Sequence, residues 1–75
     1  MTIEARRARF ARWLRERRHM RDLTARDVAV HLGVHVTTIY NAERAVPVQT
    51  PRFELLDRWL TLLGVDFLDL IGAVE

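Results

Sequence analysis

Ala29 and Gly33, four residues apart inside residues 25–44, restrict this chain more than any other feature. Two helices can cross steeply at close range only if the contact residue is small and the turn between them tolerates an unusual backbone. Ala29 meets the first condition and Gly33 the second. Around them, Val28, Leu32, Val34, Ile39 and Ala42 are spaced to face one shared core from both sides of the turn. The segment therefore reads as a short helix, a tight turn and a second short helix from about Val36 to Arg44. Thr24 is placed to cap the first of these, and Asp27 at its third position completes a capping-box pattern.

The remaining sequence extends this into an all-α chain of five helices without strands. The first runs from about Ile3 to Met20, with Ile3, Phe10, Trp13, Leu14 and Met20 on one side at 100° per residue. Arg6 and Arg17 interrupt that side, and their aliphatic stems are expected to lie along the core edge. After a loop of Val46, Pro47, Val48, Gln49 and Thr50, the Thr50-Pro51 pair reads as a cap followed by proline at the first helical position. The fourth helix then runs to Leu63, with Phe53, Leu56, Trp59, Leu60 and Leu63 inward, and Gly64 ends it. Asp66 caps a short last helix over residues 66–74. With 75 residues, 49% of them apolar, the expectation is one domain over residues 1–75 with room for a single small core.

Charge is unevenly spread. Residues 1–26 hold nine arginines against Glu4, Glu16 and Asp22, a net of +6, whereas residues 27–75 hold three arginines against seven acids, a net of −4. Such a split implies one cationic side. On the second short helix, the side away from Ile39 and Ala42 presents Thr37, Tyr40, Asn41 and Arg44, with no carboxylate to repel a polyanion. These residue types also make an ordinary solvated face. Read as a nucleic-acid surface, Asn41 can pair with adenine through both amide groups, Thr37 can meet a base edge and Val36 a thymine methyl. Tyr40 and Arg44, with Arg21, Arg26 and His35 nearby, are then candidates for phosphate, which sets register rather than sequence preference.

At this level the chain resembles the lambda-repressor and Cro type of helix-turn-helix domain, the XRE family. The resemblance rests on Leu23-Thr24 through Ala29, Leu32-Gly33-Val34, Thr37-Thr38-Ile39 and Glu43, and on Leu56, Trp59-Leu60, Leu63-Gly64-Val65 and Leu70. It implies a compact five-helix lambda-repressor-like bundle with its helix-turn-helix at residues 25–44. It implies that Arg18 and Glu43 form a buried ion pair. It also implies a sequence-specific double-stranded DNA-binding regulator, a repressor of the Cro-like phage, controller or antitoxin kind, bacterial or phage-encoded and cytoplasmic. The chain departs from that family at Ala25, where glutamine is frequent, at His35, where serine or threonine caps the helix, and at Asp22 and Ala45, where glycine is usual.

Other chemistry finds little footing. There is no serine and no cysteine, hence no thiolate metal site or disulfide, and an enzyme is not expected. His31 and His35 are four apart, but Gly33 separates them onto different helices and no acid or thiol completes a metal shell. No cofactor motif is visible. No apolar run approaches membrane-spanning length, and no apolar core follows the N-terminal arginines as in a signal peptide. Protonation of His35 would add a positive charge where phosphate passes. Phe67, Leu68, Leu70, Ile71 and Val74 exceed what one core face of a two-turn helix needs. They are expected to join two copies, so that two half-sites about 34 Å apart on a pseudo-palindromic operator are read together. The alternative is a protein-interaction module that turns this apolar surface to a different protein partner.

Overall fold

The computed structural model describes residues 2–44 and 51–75. It is all-helical, with five helices in the order α1 (Ile3–Met20), α2 (Ala25–Leu32), α3 (Val36–Glu43), α4 (Phe53–Leu63) and α5 (Phe67–Val74), and no strand among the described residues. The body measures 34 × 24 × 21 Å. α2 packs on α3 and α4, and α1 packs on α3 and α5. One core of Trp13, Leu14, Ala25, Val28, Ala29, Leu32, Ile39, Trp59, Leu60 and Leu63 lies where these elements meet.

The helix ends follow from local chemistry. Thr24 and Asp27 form the full capping box: the Asp27 N–H donates to the Thr24 hydroxyl at 3.0 Å, and the Thr24 N–H to the Asp27 carboxylate at 2.8 Å. The Thr24 backbone N–H, and after it the hydroxyl, hold the Asp27 carboxyl below its ordinary pKa. Asp66 and Asp69 repeat the arrangement at α5. At three helix ends a backbone N–H reaches back five residues, from Leu23 to Arg18, from Val34 to Ala29 and from Val65 to Leu60. This closure requires a left-handed residue just before the donor. Gly33 and Gly64 fill two of those positions at φ 68° and 75°. Asp22, at φ 54°, fills the third in spite of its Cβ.

Several expectations about burial and boundaries are corrected. Ile3 and Met20 are 68% and 70% exposed. At about 1.5 Å per residue α1 spans about 27 Å, longer than the two shorter dimensions of the body, 24 and 21 Å, and these two residues lie in its terminal turns. Arg17 does not merely trail along the core edge: its guanidinium lies over the Trp13 ring, 5.8 Å from the centroid. α4 begins at Phe53, with Arg52 in extended backbone as its cap residue and no side-chain capping bond. Pro51 therefore precedes the helix instead of opening it, and Thr50, with the loop before it, lies outside the described residues. Phe53 is 67% exposed rather than inward, because its ring stacks on Phe67 at 4.9 Å, outside the core. α3 ends at Glu43, with Arg44 as its cap.

Candidate nucleic-acid interface

α3 carries the candidate surface, and two contacts fix its pose. From below, Ile39 is fully buried against the core while Ala42 and Val36 are partly buried beside it. From the side, Arg18 of α1 holds Glu43. Arg18 Nε donates to Glu43 Oε2 at 2.8 Å and Nη2 to Oε1 at 2.9 Å, while Nη1 donates to the Leu23 carbonyl at 2.9 Å. Both residues are buried, and this parallel two-bond geometry is the strong form of the arginine–carboxylate pair. The Glu43 hydrogen bonds, opposed by burial, raise the Arg18 pKa above its ordinary value.

This pair has an electrostatic consequence. Glu43 is the sole acid of α3, and it is turned inward and neutralised. The outward face of α3, formed by Thr37, Tyr40, Asn41 and Arg44, is exposed and free of carboxylate. Arg44 lies over the Tyr40 ring at 5.6 Å, which holds the guanidinium at the end of that face. Val36 differs from Thr37 and Asn41: it is half-buried and packed against the core, so only part of it reaches the surface.

His35 is the side chain whose position sequence reasoning read least well. Its Nδ1 accepts the Thr37 N–H at 3.1 Å and caps α3, the task that serine or threonine performs in the resembling family. Nε2 is left as the nitrogen that can face a phosphate. Nδ1 is thus engaged with the backbone of α3 and is not free for phosphate.

The other phosphate candidates divide. Arg26 is exposed at the start of α2. Arg21 is exposed as well, yet its guanidinium rests beside Gly64, where an added Cβ would lie 3.2 Å from Nη1, so it points to the α4–α5 junction. Between α1, the start of α2 and α3 lies an open groove of about 530 Å³ lined by Arg18, His19, Asp22, Leu23, Thr24, Ala25 and Tyr40. Sequence reasoning passed over Arg58, whose guanidinium reaches from α4 to the terminal carbonyls of α2, 3.2 Å from Leu32 and 3.4 Å from His31. A cation at a helix C-terminus satisfies free carbonyls and the local dipole together. His31 lies on α2 and His35 before α3, and among the described residues no group of three or more potential ligands could hold a metal.

The model of a helix-turn-helix domain family matches residues 8–71, from the second turn of α1 into α5. The chain belongs to this helix-turn-helix family. A helix-turn-helix domain is a DNA-binding unit whose second motif helix enters the major groove, and DNA is accordingly the partner of this one. No curated protein and no solved structure matches the chain. No helix in the described residues of the helix-turn-helix domain is long and apolar enough to cross a membrane.

Proposed function

We propose that the domain is a sequence-specific regulator of the lambda-repressor and Cro type, a cytoplasmic repressor that occupies an operator and excludes polymerase. The carboxylate-free outer face of α3, with its one acid turned inward onto Arg18, is the observation that carries this reading. In it, Asn41 and Thr37 read base edges, with the exposed part of Val36 beside them. Arg44, Tyr40, Arg26 and the Nε2 of His35 hold phosphates; Arg21 joins them only by leaving its seat at Gly64. The whole chain acts as one binding domain, without catalysis or cofactor.

Two copies are proposed to bind together through α5 and the end of α4. On α5, Leu68 is 77% exposed and Ile71 49%, with Phe67, Leu70 and Val74 half-buried; the α4 residue exposed beside them is Phe53, 67% exposed and stacked on Phe67 at the start of that helix, whereas Leu60 and Leu63 at its end are buried. Exposed apolar side chains grouped in this way favour a protein partner, and a second copy supplies the two-fold symmetry of a pseudo-palindromic operator. A partner other than a second copy, as in an antitoxin, is the alternative that the same surface supports.

Selection of bound duplexes from genomic fragments, followed by quantitative gel shifts, tests the assignment. Asn41→Ala is expected to cost about 1–3 kcal/mol on the selected sequence and to relax one base position, whereas Arg44→Ala weakens all duplexes alike and lowers the salt slope by about one. An Asn41→Ala variant that loses selected and random duplexes equally would remove base reading from that residue.

A further inference from the structure

Beyond the recognition helix, a second cationic surface runs along α1. Relative to Arg18, which points to Glu43, a rotation of 100° per residue puts Arg15 about 60°, His19 about 100° and Arg12 about 120° around the helix. All three are exposed. No carboxylate among the described residues lies within ion-pair distance of Arg12 or Arg15, and residues 45–50 contain no acid. Glu16 is one turn from Arg12 and about 40° further round, Glu75 is held at Arg9 on the far side, and Glu4 is two turns away toward the N-terminus. His19 lines the same groove as Tyr40, and Tyr40 carries Arg44. Arg44, Tyr40, His19, Arg15 and Arg12 thus follow one another around the side of the molecule.

We propose that Arg12 and Arg15, with His19, form a second phosphate-binding strip that grips the duplex beside the segment read by α3. Arg12 to His19 spans about 10 Å of helix axis, longer than the roughly 3.4 Å of duplex axis that each phosphate of one strand occupies, so the side chains can meet more than one phosphate. This rests on the proposed docking of α3, because that docking brings the groove beside Tyr40 toward the backbone. The competing occupant is the acidic side of α4 and α5 in another copy. Duplex is favoured because Asp66 and Asp69 are committed to their capping box, and because the strip joins the groove at Tyr40. Asp22 is the one acid in that groove, so phosphate is placed on Arg15 and Arg12 rather than on its floor.

The test is the salt dependence of binding by the full chain to a fluorescein-labelled, mixed-sequence duplex about 30 base pairs long. Arg12→Ala/Arg15→Ala is expected to flatten the log–log slope by about 1.8, so that the affinity lost between about 50 and 200 mM salt shrinks about tenfold. Arg12→Lys/Arg15→Lys restores the slope, and the melting temperature stays unchanged, since neither arginine makes a contact that the fold needs. Preference for selected over mixed sequence also stays unchanged. An unaltered slope with binding retained overturns the strip alone. An unaltered slope with a smaller assembly in sedimentation overturns it in favour of protein–protein contact. Absence of wild-type binding to any duplex at low salt overturns the proposed function as well.

Discussion

A single buried carboxylate governs the chemistry of this domain at the scale of residues. Glu43 in its site is tolerable only with Arg18 beside it, because an uncompensated buried charge costs far more than the pair itself contributes. Glu43→Gln is therefore expected to destabilise the domain by about 3–5 kcal/mol in denaturant titration, a large share of what roughly 0.05–0.15 kcal/mol per residue provides. The double variant Arg18→Met/Glu43→Leu should recover most of that loss, since apolar replacement of both partners removes desolvation together with attraction. Asp22 presents the opposite case, a side chain where none is wanted. Asp22→Gly is expected to stabilise by up to about 1 kcal/mol, because relief of the left-handed backbone outweighs the added freedom of the unfolded chain. A lower melting temperature for that variant would show that the aspartate side chain contributes something beyond the turn.

Among the elements, the two helices of the motif begin in different ways. At α2, hydrogen bonds from Thr24 depress the Asp27 pKa in the folded state. The stabilisation it gives is complete above the ordinary aspartate range and is lost as pH falls through the lowered value. Asp27→Asn should therefore remove part of the acid limb of the stability curve while leaving its alkaline limb in place. At α3, His35 Nδ1 accepts the Thr37 N–H as the cap. His35→Ala should cost about 0.5–2 kcal/mol and His35→Ser much less, as for other N-cap exchanges.

These starts and stops also mark what could be read beforehand. Thr24, Gly33, Gly64 and Asp66 act on their own neighbours within a few residues, so α2 and α5 and the end of α4 were legible from sequence. The positions of Asp22 and His35 were legible as a glycine site and a cap site, but not that an aspartate would hold the left-handed turn or an imidazole the cap; nor was the unaided start of α4 at Arg52. Each depends on backbone dihedrals that tertiary contacts impose. The outward face of α3 was legible because a short helix with one buried stripe leaves little choice. Arg58 was not, since its acceptors lie 26 and 27 residues away. Nor was the exposure of Phe53, whose resting place is a ring on another helix.

Across the whole molecule, two surfaces differ in character. Arg12 and Arg15 stand exposed on α1, and Leu68 and Ile71 of α5 with Phe53 of α4 form an exposed apolar group. A charge placed in the second region should act on assembly and spare the fold. Leu68→Asp/Ile71→Asp is expected to give a monomer in sedimentation while keeping the helical circular dichroism signal. Its affinity for a single half-site should be unchanged and its affinity for a full two-fold site much lower. Equal affinity for both sites in wild type and variant would argue that one copy binds alone.

Trp59 is fully buried, and its indole N–H has no acceptor among the described residues, whereas Trp13 sits beneath a guanidinium at the rim of the core. Unfolding carries the first ring from a dry hydrocarbon setting into water and strips the second of its cation. Emission from the two rings thus gives label-free signals for the melting of the interior and for disturbance along the first helix, and Trp13→Phe would separate them.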